Sequence, residues 1–121
     1  FFKFVEFSIN EDISSSLLLF NEVVEKGFDS HHFIGGLASH YRNLLVCKDA
    51  KSVQLLEVPD AIKSKYLEQS KNMDPHLVMR ALNAISKTDV AYKASKNQRL
   101  LVEVCLMELC SLKQEHEKKK P

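Results

Sequence analysis

The chain has 121 residues, 45% hydrophobic and 27% charged, with 17 Lys and Arg set against 16 Asp and Glu. That length fits one domain around a continuous core, and a formal net charge of +1 excludes the strong basic field of a dedicated duplex binder. Three Gly and three Pro are too few for the corners of a turn-rich β fold, so the expected fold class is all-α, a compact bundle of about five to six helices.

In chain order, Phe1–Phe2–Lys3–Phe4–Val5–Glu6–Phe7 opens abruptly on aromatic, core-like material and reads as a piece of a longer protein. Phe1, Phe4 and Val5 keep helical spacing and predict a short first helix to about Ser8. Asn10, Glu11 and Asp12 offer capping oxygens and early negative charge for a second helix. Its apolar stripe is Ile13, Leu17, Phe20, Val23 and Val24. Gly27 supplies a left-handed stop, and Phe28 is expected to fold back beyond the cap.

Asp29 or Ser30 caps a third helix with Phe33, Leu37, Tyr41, Leu44 and Leu45 on its stripe, and with His40, Arg42 and Asn43 expected on other faces. Gly35–Gly36 within it costs about 1 kcal/mol per residue relative to Ala. That cost predicts the close approach of a neighbouring helix backbone, or a kink.

Lys48 to Ser52 reads as a turn, and Val53, Leu55, Leu56 and Val58 support no more than a short helical turn. Pro59 is expected at the first position of a fourth helix carrying Ile62, Tyr66 and Leu67. Asp74–Pro75 opens a fifth, with Leu77, Val78, Ala81, Leu82 and Ile85 along it and Tyr92 near its end. Asn97 caps a last helix running from Gln98 to about Lys113. Leu100, Leu101, Val102, Val104, Cys105, Leu106, Met107, Leu109, Cys110 and Leu112 surround its axis almost completely. Such a helix is either a central post or a post shared with neighbouring subunits. Residues 114–121 form a charged tail or the start of a linker, ending Lys118–Lys119–Lys120–Pro121.

Little in this pattern carries catalytic chemistry. Cys47, Cys105 and Cys110, odd in number and without patterned spacing, read as reduced intracellular thiols, and Cys105 and Cys110 lie roughly 140° apart on a helix. His31 and His32 diverge, His40 lies two turns beyond His32, and no metal-ligand spacing occurs, so surface or capping histidines are expected. There is no phosphate-binding Gly-rich loop and no Gly-x-Ser-x-Gly elbow, so no catalytic, cofactor-binding or metal residues are assigned. No apolar run approaches the roughly 20 residues that span a bilayer, and no membrane partner is expected. Lys93, Lys96 and Arg99 cluster at the entry to the last helix as possible phosphate contacts, which leaves a small helical DNA-binding domain as the alternative function. Arg99 and Glu103, four apart, are placed to pair along one face.

Two stretches resemble a known family. Phe28 to Val46, with Leu37, a polar step, Tyr41–Arg42 and Leu44–Leu45, is similar to a helix of bacterial gamma/tau clamp-loader subunits of DNA polymerase III. Asn97–Gln98–Arg99–Leu100–Leu101–Val102–Glu103, continuing through Leu106–Met107–Glu108–Leu109, resembles that family's closing helix, with Gln98 where proline is usual. The order of elements between them also agrees, so the resemblance covers nearly the whole chain.

It implies the C-terminal helical oligomerisation (collar) domain, here residues 1–113, which is not itself an enzyme. The resemblance further implies a parent that is a AAA+ ATPase subunit of the DNA polymerase holoenzyme, a nucleotidyltransferase, acting in cytoplasmic DNA replication. ATP and zinc would be bound upstream. Implied partners are other gamma/tau copies and the delta and delta-prime subunits, with the sliding clamp and primed DNA reached through the parent complex. By the same analogy the candidate interface residues are Phe33, His40, Tyr41, Arg42, Arg99 and Glu103.

Overall fold

A computed structural model of the chain describes residues 1–114; the tail expected at 114–121 lies, apart from Gln114, outside the described residues. Among the described residues there are six α-helices and one 3₁₀ turn, a further helical stretch at 112–114, and no strand. In order they are α1 (Phe2–Ile9), α2 (Ile13–Glu25), α3 (Ser30–Val46), the 3₁₀ turn (Ser52–Leu55), α4 (Asp60–Lys71), α5 (Pro75–Tyr92) and α6 (Gln98–Leu109).

The helix ends follow from local chemistry. α1 and α2 both close with a left-handed residue and paired reverse hydrogen bonds. At the end of α1, Glu11 takes φ +57°, its N–H reaches Ser8 O, and the Asp12 N–H reaches Phe7 O at 2.8 Å. After α2, Gly27 takes φ +86°, its N–H bonds Val24 O, and the Phe28 N–H bonds Val23 O at 3.2 Å. Gly27 adopts that conformation without a Cβ penalty; Glu11 does not. Asp12, Asp29, Asp74 and Asn97 cap α2, α3, α5 and α6 through side-chain oxygens that accept backbone N–H groups. Asp29 rather than Ser30 therefore caps α3; the Ser30 hydroxyl bonds the Tyr92 hydroxyl instead. Pro59 precedes α4 as its cap, one residue earlier than expected, with an extended ψ of 150°.

α3 forms the axis of the bundle. It packs against α4, α5 and α6, while α2 packs against α1 and α6 and α5 also packs against α6. One apolar cluster runs from Phe4 to Leu112, and Phe20, Ile34, Leu37, Leu44, Val78 and Val102 are sealed from solvent within it. Polar groups trapped there are satisfied. The Ser70 hydroxyl donates to Leu44 O at 2.9 Å, and that of Thr88 to Ala84 O at 3.0 Å. Lys48 Nζ donates to Ser70 O and Met73 O, completing the carbonyl end of α4.

Several expectations need correction. His40 lies in the core, because Phe2 from α1 and Tyr66 from α4 cover its ring at 4.5 and 4.8 Å between centroids. What approaches Gly36 is an aromatic ring and not a helix backbone: a Cβ there would overlap the Phe1 side chain, whereas one at Gly35 would meet nothing within 4 Å. α3 runs unbroken through both glycines. Ile13 and Ile62, assigned to apolar stripes, stay exposed, and so does Phe28 at 63%. Expected to run to about Lys113, α6 is continuous only to Leu109, where the Ser111 N–H turns to Glu108 O at 2.9 Å and its hydroxyl bonds Met107 O; helical conformation resumes at 112–114.

Candidate assembly interface

The six residues singled out as interface candidates separate into two groups. Phe33, His40 and Tyr41 are buried, and Arg42, Arg99 and Glu103 reach the surface to differing degrees. The Phe33 ring lies among those of Phe1, Phe4 and Phe20, with centroids 5.6, 4.9 and 5.1 Å away. Tyr41 shares a hydrogen bond of 3.1 Å with the Ser8 hydroxyl, and burial pushes its phenol well above the ordinary range. The imidazole of His40 bonds Gln69 Oε1 through Nε2 at 2.7 Å, while the Gln69 amide donates to Phe2 O and to Glu6 Oε1. Since that carbonyl oxygen can only accept, Nε2 carries the proton. Burial lowers the His40 pKa to about 4, and the bond to Gln69 opposes that shift. These three side chains are packed inside the chain's own bundle.

Arg42 is exposed and donates to Asn43 Oδ1 at 3.1 Å and to Leu55 O at 3.4 Å. The guanidinium of Arg99 bonds Asn21 Oδ1 of α2 instead of Glu103, tying α6 to its neighbour across the surface. Glu103 is half-buried on that side. Lys93 and Lys96 are exposed at the α5–α6 turn, beside Arg99.

Sequence reasoning missed the set that matters most on α6. Val102, Cys105, Leu106 and Leu109 face inward and are buried. On the opposite side, Leu100 and Val104 are 48% and 50% exposed, with Met107, less exposed than either, at the next helical step. Spacings of four and three residues align these side chains in one outer ridge. Leu18 of α2, 67% exposed and three residues before Asn21, adds a further apolar side chain on the neighbouring helix. Scattered exposed apolar residues are ordinary, but a contiguous ridge is a feature of contact surfaces. The signal in the sequence was the run of apolar residues around α6; which of them stay uncovered depends on α2, α3 and α5.

The two cysteines of this region are buried thiols. Burial raises the Cys105 thiol to about 11 and raises Cys110 as well, so neither is a thiolate at neutral pH. Among the described residues no group of three or more His, Cys, Asp or Glu side chains is placed to hold a metal ion, and no helix is long and apolar enough to cross a membrane.

Comparison with known proteins adds one finding. A family model described as DNA polymerase III subunits gamma and tau domain III matches residues 1–121. Neither the curated proteins nor the solved structures yield a match.

Proposed function

The chain belongs to the domain III family of DNA polymerase III subunits gamma and tau, and we propose that it is the oligomerisation (collar) domain of a clamp-loader subunit. In this reading it has no catalytic role of its own. It keeps AAA+ ATPase modules of the parent protein together in the cytoplasm while a sliding clamp is placed on primed DNA. Its direct partners are other gamma/tau copies and delta-type subunits.

The observation that carries this reading is the outer ridge of α6, where Leu100 and Val104 remain about half exposed although the opposite face of the same helix is sealed. A helix apolar on both sides is covered on both sides in its working state. Val104→Asp tests this in the 121-residue chain. We expect association, with itself or with delta-type subunits, to weaken by more than about tenfold, while stability stays within about 0.5 kcal/mol because the site is at the surface. Sedimentation that shows the unsubstituted chain strictly monomeric at about 1 mM, with no binding to those subunits, overturns the reading.

DNA binding through Lys93, Lys96 and Arg99 is the alternative, favoured by the exposure of all three at one turn. It predicts an affinity for DNA that falls steeply with salt and is lost when the three are replaced by Ala.

A further inference from the structure

We propose that the surface receiving the α6 ridge is the groove between α3 and α5 of a second copy of this chain, so that copies join head to tail. The inference rests on the oligomerisation reading above and supplies the complementary half of its interface.

Four observations lead to it. Gly35 weakens the interior of α3, yet no atom within 4 Å uses the space left by its missing Cβ. Packing inside the chain therefore does not account for this glycine, in contrast to Gly36, over which the Phe1 ring lies. Secondly, the gap is part of a groove of about 360 Å³ between the two helices, with Gly35 and Ala38 on one wall and Leu82 and Ser86 on the other. Asn83 and Ser86 of that wall recur with Met79 and Val90, 46% and 81% exposed, on one side of α5 at helical spacing.

Thirdly, shape matches. Leu100, Val104 and Met107 stand as a ridge of larger side chains on α6, and a helix ridge seats in a groove walled by small residues. Fourthly, charge matches. The ridge is flanked by Glu103 and Glu108, while Arg42 follows Gly35 and Ala38 along α3 and Lys93 follows Ser86 and Val90 along α5. Asp89, the acidic residue in the groove wall, is already engaged by His31 Nε2 at 2.9 Å. Ridge and groove are different surfaces of one molecule, so the contact is heterologous and each copy keeps one free half of either kind. Repetition of such a contact closes a ring or extends a filament, according to the rotation per step.

Complementation between two variants tests the assignment. Val104→Glu removes the ridge and leaves the groove, whereas Gly35→Glu fills the groove and leaves the ridge. We expect each variant alone to lose association by more than about tenfold, and an equimolar mixture to form a one-to-one heterodimer, because one intact ridge then meets one intact groove. Gly35→Glu is expected to melt at or above the parent temperature, since Glu is the better helix former and the space is open; Ser86→Glu, also exposed, serves as a second groove block. If Gly35→Glu and Ser86→Glu both associate as the parent does, the groove is not the receiving surface, although the oligomerisation reading stands. A mixture of folded variants that stays monomeric overturns the head-to-tail geometry. A parent chain that never associates overturns both.

Discussion

α3 and α6 carry the two stretches by which the family is recognised, yet the structure uses them in opposite ways. The distinctive residues of α3, namely Phe33, His40 and Tyr41, are 5%, 2% and 1% exposed. On α6 the outward residues Leu100 and Val104 are 48% and 50% exposed. A recognisable motif therefore marks two different physical demands. On α3 the interior holds aromatic rings and a hydrogen-bonded histidine at fixed places. The outer half of α6 has no such internal requirement, and its apolar side chains stay about half exposed in the single chain.

The largest effect expected from this contrast is Phe33→Ala. That substitution removes a ring packed against those of Phe1, Phe4 and Phe20, and buried Phe→Ala changes cost roughly 3–5 kcal/mol. Thermal melting should show the loss directly, while molecules that remain folded associate as before. A cost under about 1 kcal/mol, or a specific loss of association in folded protein, would place Phe33 with the outer ridge and break the contrast.

Next in size is the pH dependence set by His40. The imidazole has an ordinary pKa of 6.5 and is held at about 4 in the folded chain, chiefly by burial. Between those values the unfolded chain binds the proton and the folded chain does not, so stability rises with pH. The contribution is complete above about pH 6.5 and is lost as the pH falls toward 4. A shift of this size corresponds to about 3 kcal/mol at most. His40→Gln retains an amide donor toward Gln69 and removes the titration. Urea midpoints measured across the window should therefore diverge, with the parent falling more steeply than the variant on acidification. Parallel profiles would mean that His40 is as well hydrated as a surface histidine.

What was legible in the sequence was local. Asp12, Gly27, Asp29, Asp74 and Asn97 sit where helix ends must be, because capping is decided within a few residues, and each acts there. The burial of His40 was half legible. Phe33, Leu37, His40 and Leu44 recur at steps of four, three and four and form one helical stripe, but a polar side chain there suggested solvent. Its cover comes from Phe2, Tyr66 and Gln69, on helices distant in sequence. The relation between Phe1 and Gly36 is non-local in the same way. For α6, the all-round apolar pattern announced that some side chains would lack cover. It takes the positions of α2, α3 and α5 to select Val102, Cys105, Leu106 and Leu109 as the inner set. Arg99 shows the limit of spacing rules, since Glu103 lies one turn away on its own helix and the guanidinium reaches Asn21 on another.

The smallest effect sharpens the contrast within α3 itself. Gly35→Ala should raise stability by about 1 kcal/mol, the usual gain from replacing glycine in a helix interior, because the added methyl group enters open space. Gly36→Ala carries the same propensity gain but must displace the Phe1 ring, so its net change should fall well below that of Gly35→Ala. Stability and association should then separate. At Gly35 a more stable chain should associate less well, because the methyl group narrows the groove proposed to receive α6. At Gly36 association is unchanged, since the cost is internal. Denaturant unfolding and sedimentation on the same two variants measure both quantities. If Gly35→Ala stabilises without weakening association, the outward edge of α3 is inert surface and α3 has no role beyond the core.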